Sequence, residues 1–498
     1  VVLTRKERGI PGYDSPLALQ VAPGNNSLGL MLPYTPLHHL LFREGPETLV
    51  MTSGNKSSEP IAFRDEDALG RLAGIADYFL VNNREIVRRC DDSVVTSFEG
   101  KPYIIRRSRG YAPVPIALNL EVGQILACGG EQKNVFCLTR DHQAFLSHHI
   151  GDLENLETLC AFEEGISDYK KMFNLAPDLV AYDLHPDYLS TKYALGLELP
   201  KTGVQHHEAH IAACMADNGV QDPVIGIAFD GTGYGWDGHL WGGEFLVGDY
   251  SQFDRRAHLA YLPMPGASAA IRQPWRMALS AIIKAYGPEW EVQAASLINQ
   301  ESENLHLMAQ LVNQSLNTPL TSSVGRLFDA VAALTGVRQQ VNYEGQAAVE
   351  LEQVAVTWLN QIGTTGERIQ GYSFGLETAE GVLRILPDPV IRQVVEDIRS
   401  RKSGGEMAWK FNLGVASMIN QVAARLREDT GLNQVCLSGG VFQNLLLLKT
   451  SVKLLRKNGF RVFTHSQVPC NDGGIALGQA VIAGRRRNHI LVGPFPFW

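Results

Sequence analysis

The stretch V-Q-H-H-E-A-H-I-A-A, from Val204 to Ala213, carries two histidines at a spacing of four. On a helix that spacing stacks His206 and His210 on one face, so their imidazoles converge into a two-nitrogen claw, while His207 and Glu208 point elsewhere. A bare H-x-x-x-H also arises on polar helix surfaces and in satisfied core contacts, so the pair alone does not make a site. Further along stand two carboxylates beside glycines, Asp230 in I-A-F-D-G-T-G and Asp472 in P-C-N-D-G-G, both read as turn positions. Two imidazole nitrogens with one or two carboxylate oxygens suit Fe(II), Zn or Mn and leave room for a substrate oxygen.

A chain of 498 residues exceeds one compact core and predicts at least two domains. No apolar run approaches the ~20 residues of a membrane span, and no signal-peptide pattern opens the chain, which sets a cytoplasmic expectation. The seven cysteines are odd in number and never spaced C-x-x-C, so they read as reduced core thiols. A formal net charge of -8 argues against a basic nucleic-acid groove. The chain opens on V-V-L-T without an initiator Met, and the expectation is that an N-terminal part is missing.

From the start to about residue 118, apolar runs alternate with Pro and Gly: T-L-V-M-T-S-G-N, Y-F-L-V-N-N, S-V-V-T-S-F and Y-I-I-R-R-S-R-G-Y among them. With a helical pattern from Asp65 to Ala76, they predict a mixed α/β unit with a twisted sheet. Thr52-Ser53-Gly54-Asn55 closes one run and offers hydroxyls and an amide to a phosphate or acyl group, or simply ends a strand. Between Arg84 and Arg109 basic residues outnumber acidic ones. Forked guanidiniums there suit phosphate, with Asp92-Ser93 placing a hydroxyl; the plain alternative is a solvated, ion-paired face.

Tyr111 to Gly123 is Pro-bearing and extended, a boundary. Beyond it, I-L-A-C-G-G-E-Q-K-N-V-F-C reads as strand, glycine turn, strand, where Gly129 and Gly130 let amides approach an anion and Lys133 adds a point charge. Pro223 to Gly238 repeats that logic, and V-C-L-S-G-G-V-F-Q-N-L-L-L-L ends a buried strand at Gly439-Gly440 with a helix starting near Asn444. Two such units separated by helices suggest the duplicated lobes of the actin, sugar kinase and Hsp70 superfamily (ASKHA). Leu156 to Phe173, Asp388 to Arg401, Met407 to Asp429 and Ser322 to Gly336 carry helical apolar spacing. Asp329 on the last of these suits a ribose hydroxyl or is an exposed helix carboxylate. Arg272, Trp275 and Arg276 form a cationic, aromatic wall near the cleft or anchor a loop. The C-terminal tail carries no assigned role.

T-S-G-N-K-S-S-E-P-I, N-N-R-E-I-V-R-R-C-D-D-S-V-V and I-I-R-R-S-R-G-Y-A-P together resemble the YrdC/Sua5-like domain, in the version found in HypF hydrogenase maturation proteins. V-Q-H-H-E-A-H-I-A-A, A-F-D-G-T-G-Y-G, G-R-L-F-D-A-V-A-A-L-T-G, Y-E-G-Q-A-A, L-S-G-G-V-F-Q-N and P-C-N-D-G-G-I-A-L-G-Q-A occur in the order and spacing of the Kae1-like domain. G-G-E-Q-K-N and R-Q-P-W-R also look like HypF, and the resemblance covers Val1 to about residue 484. It implies an α/β chain: a YrdC-like twisted α/β domain over residues 1–118, N-terminally truncated, then a two-lobed ASKHA, Kae1-like domain over 119–498. Carried over by motif, the metal ligands fall on His206, His210, Asp230 and Asp472. Adenine and ribose contacts fall near Asp329, Gly439, Gly440 and Asn444, and the phosphate loop near Gly129, Gly130 and Lys133. The acyl-adenylate site of the first domain involves Ser53, Asn55, Ser93, Arg106 and Arg107.

The implied activity is ATP-dependent carbamoyl transfer through carbamoyl-adenylate, using Mg-ATP and a divalent Fe or Zn ion. The implied acceptor is the C-terminal cysteine of HypE, for cyanide ligand synthesis. Small-molecule substrates are ATP and carbamoyl phosphate or carbamate; neither nucleic acid nor membrane is expected as partner. Complete members also carry an acylphosphatase domain and zinc-finger-like modules, so this chain is expected not to make its own carbamate from carbamoyl phosphate. A small-molecule O-carbamoyltransferase is disfavoured by domain order, and a tRNA threonylcarbamoylation enzyme by the acidic balance. A non-catalytic ATP-binding scaffold, with the claw as a structural staple, is the alternative of another class.

Overall fold

Two mixed sheets face each other across a pair of buried helices, and this sandwich follows from composition. The helix His206–Asp217 runs from Ile211 to Ala216 in short or apolar residues, I-A-A-C-M-A, and all twelve of its residues are buried. From Ile211 to Ala216 the helix has no polar residue to turn to solvent, so it has no stable place at a surface. Its partner Ile475–Arg486 is buried from Ile475 to Ala483. Together they share one apolar core with Ile125 and Ala127 of one sheet and Val224, Ala228 and Cys436 of the other.

The first sheet has six strands in the order Lys201–Val204, Leu179–Asp183, Ile125–Ala127, Cys137–Arg140, Gln143–Leu146, Ile116–Ala117. The second centres on Val224–Tyr234, which pairs antiparallel with Leu240–Gly248 and parallel with Gln434–Ser438. Helices Val324–Leu334 and Gly404–Thr430 contribute to the large core behind it. The expected helix Leu156–Phe173 appears with those bounds; the others appear as Asp388–Arg399, Gly404–Thr430 and Val324–Leu334. The computed structural model describes residues 1–4, 17–363, 366 and 369–487; most of the C-terminal tail lies outside these residues.

The N-terminal YrdC-like unit lies across both lobes. Its hairpin Val94–Phe98 with Lys101–Arg106 sends Phe98 and Tyr103 into the core of the second lobe, where the Tyr103 hydroxyl donates to Phe442 O at 3.2 Å. On the other side Arg88 and Arg89 meet Asp168 and Glu164 of the first lobe. Two of the expected strand runs differ from expectation. T-L-V-M and Y-F-L-V-N-N join no ladder, and Val50, Met51, Leu80 and Val81 are exposed. An extended run becomes a strand only when a neighbour accepts its backbone groups, and these runs have no ladder partner among the described residues. No helix among those residues is long and apolar enough to cross a membrane.

Candidate active site

The histidine helix begins where Gln205 caps it, its side-chain oxygen accepting from the amides of His207 and Glu208 at 2.6 and 3.0 Å. From that start His206 and His210 turn to the same side, with ring centroids 5.0 Å apart. His207 points away, its Nδ1 against Gln205 Nε2 at 3.1 Å, and Glu208 accepts from Arg486 at 2.7 Å.

Asp230 arrives from the second sheet. It lies within the strand Val224–Tyr234 at a register irregularity, and not in a turn as the glycines suggested. Those glycines keep side chains out of the way: a Cβ on Gly233 would lie 2.7 Å from His206 Cδ2. Gly440 N donates to Asp230 Oδ1 at 3.0 Å and Ser323 Oγ donates to its carbonyl at 2.7 Å. Asp472 begins the short turn of helix leading into Ile475–Arg486.

The four residues meet. One ligand atom from each of His206, His210, Asp230 and Asp472 lies within 4.8 Å of the others, and all four are buried. His210 Nε2 is 3.5 Å from both Asp230 Oδ2 and Asp472 Oδ1, yet makes no hydrogen bond. A buried nitrogen left without a partner, facing two carboxylate oxygens, fits a divalent cation bound among the four. Burial lowers the His206 pKa, but Asp183 and Asp230 outweigh it and hold the ring well above its ordinary value. Burial likewise raises Asp230, and the facing imidazoles of His206 and His210 carry it well below the carboxylate range.

Asp183 has no counterpart in the sequence reading. Its Oδ2 lies 2.8 Å from His206 Nδ1, which leaves Nε2 as the nitrogen facing Asp230 and Asp472. The signal available was an acid ending a buried strand, V-A-Y-D, one residue type among many that end strands.

The nucleotide residues are placed differently from one another. Asp329 is buried rather than exposed, and Asn444 caps the helix Leu445–Lys457 through the Leu447 amide while lining the cleft. The Gly129 amide is taken by Gln479 Oε1 at 2.8 Å, the Gly439 amide by Cys470 O at 2.8 Å, and the Gly440 amide by Asp230. Lys133 Nζ sits 3.1 Å from Glu344 Oε2. Of the glycine amides expected to face the nucleotide, those of Gly129, Gly439 and Gly440 therefore hold the protein together instead; Gly130 lies beside Asp472. Arg276 bonds Gln273, Trp275 is core, and neither lines the cleft.

In the first unit Ser53, Asn55, Arg106 and Arg107 line one cavity of about 570 Å³ with Lys133 and Asp152 of the first lobe. Ser93 does not line it: its hydroxyl donates to Arg109 O at 2.9 Å and accepts from the Ser108 amide at 2.8 Å, clasping the hairpin. Arg107 Nη2 donates to the carbonyls of Tyr111 and Val114, while Nε and Nη1 are buried and unpartnered. A second cavity of about 250 Å³ opens on Asp230 and Asp472. Lys133, Glu344, Gln443 and Asn471 line both cavities. Asn471 Nδ2 also donates to Ile105 O, next to Arg106, at 3.1 Å.

Two acids of the smaller cavity region are displaced upward. Burial pushes Asp329 to about 6 against the pull of Arg326. Burial pushes Glu352 to about 7, opposed by the amides of Leu446 and Leu445. A carboxyl raised on folding holds its proton where the unfolded chain has lost it. Its stabilising contribution is full below the unfolded value and is lost as pH rises through the folded value. Glu352→Gln is therefore expected to match the wild type near pH 5 and to exceed it in urea midpoint at pH 8. An unchanged difference between the two pH values would show that Glu352 titrates normally.

Family models match along the described length. "Carbamoyltransferase, Kae1-like Domain, second subdomain" covers residues 226–479, "HypF Kae1-like domain" covers 121–217, and the Sua5/YciO/YrdC model, described as "Telomere recombination", covers 7–108. The carbamoyltransferase HypF of Synechocystis sp. is 39% identical over 505 residues, 98% of this chain and 63% of the relative. The chain thus spans less than two thirds of that relative's length. A carbamoyltransferase HypF homolog of Cupriavidus necator is 35% identical over 381 residues, 73% of this chain and 92% of the relative. Among solved structures, full-length HypF in a phosphate- and nucleotide-bound form is 45% identical with a TM-score of 0.89, covering 97% of this chain and 74% of that one. Likeness of this order, sustained through both units and across the cleft, places the chain in the HypF family.

Proposed function

We propose that this chain is an ATP-dependent carbamoyltransferase of nickel–iron hydrogenase maturation, delivering a carbamoyl group to the C-terminal cysteine of HypE. The observation that carries the reading is the pair of cavities with four lining residues in common, one beside Ser53, Asn55, Arg106 and Arg107, the other beside Asp230 and Asp472. Two half-reactions linked by a water-labile intermediate require neighbouring, sheltered sites.

In the first cavity a carbamate oxygen attacks the α-phosphate of Mg-ATP; pyrophosphate leaves and carbamoyl-adenylate remains. Arg106 and the unsatisfied donors of Arg107 offset the negative charge that develops on the phosphate. In the second, the HypE thiolate attacks the carbamoyl carbon, the carbon–oxygen bond to the phosphate breaks, and AMP departs. His206, His210, Asp230 and Asp472 would hold a divalent Fe or Zn ion, which when bound would supply Lewis-acid polarisation. Asp183 keeps His206 in the tautomer that presents Nε2, and Asn444 holds the nucleoside.

Mass spectrometry of the HypE C-terminal peptide tests the proposal, with this chain supplied either with ATP and carbamate or with preformed carbamoyl-adenylate. A carbamoyl increment that needs ATP in the first arm is the expected result. An increment only in the second arm would remove adenylate formation from this chain and leave transfer. No increment in either arm would overturn the assignment.

A further inference from the structure

Two cations line the smaller cavity among the described residues, Lys133 and Arg326. Lys133 is committed to Glu344 at 3.1 Å and its side chain is 37% exposed. Arg326 is a different case. It is 3% exposed, and its Nε and Nη1 are buried without any hydrogen bond. Its ion-pair neighbour is Asp329, 3.1 Å from Nη1, but the Asp329 Oδ2 also lacks a hydrogen bond. Buried donors of a charged group left unmade are costly, and a native structure retains them where a ligand completes them.

The position of this guanidinium is fixed relative to the metal-facing acids. Arg326 stands in the first turn of Val324–Leu334, where Ser323 Oγ accepts from the Arg326 amide at 3.1 Å and donates to Asp230 O at 2.7 Å. One hydroxyl thus ties the arginine's backbone to that of Asp230. Arg326 Nη2 lies 3.9 Å from where a Cβ on Gly231 would stand, and both residues line the cavity, so this nitrogen is on the cavity side.

We propose that Arg326 is the phosphate-gripping residue of this cleft, donating its free N–H groups to the phosphate oxygens of a bound adenylate or nucleoside monophosphate. The inference rests on the adenylate reading of the cleft. It assigns to one buried arginine the task that the glycine loop and Lys133 were expected to share. Guanidinium geometry suits it, since a planar fork can take two phosphate oxygens at once and a lysine cannot. Asp329 then keeps the arginine oriented and neutralised while the cleft is empty.

Calorimetric titration of the full chain with AMP and with adenosine, in the presence of Zn²⁺, tests this. The ratio of the two affinities is the readout, because adenosine lacks the phosphate. Arg326→Gln is expected to lower the AMP-to-adenosine ratio about 10- to 100-fold while adenosine binding holds. Arg326→Lys is expected to recover only part of it, and it carries the test alone should the glutamine variant fail to fold. If Arg326 serves only to neutralise Asp329, the double variant Arg326→Gln, Asp329→Asn would regain the wild-type ratio, and the proposal falls. An unchanged ratio in Arg326→Gln also overturns it, as does a wild type that binds both ligands equally. A wild type that binds neither overturns the adenylate reading of the cleft itself, and this inference with it.

Discussion

His210→Ala is expected to abolish the thermal response of the protein to added Zn²⁺ or Fe²⁺ and to cut carbamoyl transfer about 100-fold or more. The wild type should gain stability on metal addition, because an ion that binds only the folded chain adds about 2.7 kcal/mol at 100 times its Kd. The substitution removes the nitrogen that lies 3.5 Å from both carboxylates and makes no hydrogen bond. His206, by contrast, keeps its bond to Asp183. His210→Gln, which retains volume and polarity, should lose the metal response equally. Thermal melts with and without metal, read beside the peptide mass assay, check both halves. A variant that melts lower but transfers at the wild-type rate would make the cluster a structural staple, as in the scaffold reading.

Gly478→Ala is expected to destabilise the protein by about 3 kcal/mol and to weaken Zn²⁺ binding at least about tenfold. Helix propensity argues the other way, by about 1 kcal/mol in favour of alanine. Contact decides the sign. A Cβ at Gly478 would lie 2.9 Å from Ala209 Cα and closer still to its carbonyl carbon, at 2.6 Å. Backbone cannot rotate aside as a side chain can, so the two helices must separate. The residue displaced is the neighbour of His210, and the displacing helix is the one Asp472 leads into. Urea denaturation and a Zn²⁺ titration measure the two effects. Gly70→Ala in the helix Asp65–Leu72, where nothing lies within 4 Å, serves as control and should gain about 1 kcal/mol. Equal behaviour of the two variants would mean that the helix contact bears no weight.

What the sequence made legible was whatever depends on short spacing. The histidine pair follows from a four-residue interval within one element, and the long helices from their apolar period. Asp230 and Asp472 were read from their glycine-rich turns and the motifs that carry the resemblance, although Asp230 proved to lie inside a strand. Contacts between distant segments left no such mark. Asp183 orients His206 from another strand, and Arg326 lay unnoticed three residues from Asp329, whose ribose role drew attention. The amides of Gly129 and Gly440 were read as free because their partners, Gln479 and Asp230, are hundreds of residues away. In the first unit the periodic runs were visible, but whether a run becomes a strand depends on a neighbour that local pattern does not specify.

The helix pair held between the two sheets has a consequence for how the site comes into being. Asp230 and Asp472 are separated by nearly half the chain, so the pocket is among the least local features of the fold, and such contacts form late. During synthesis His206, His210 and Asp230 emerge long before Asp472. The histidine helix, buried on every side in the finished fold, must wait for Ile475–Arg486 to cover it. A chain halted short of Asp472 offers three ligands, an exposed sticky helix and no fourth oxygen. An ion held by all four ligands would therefore be captured only after Asp472 has joined the other three.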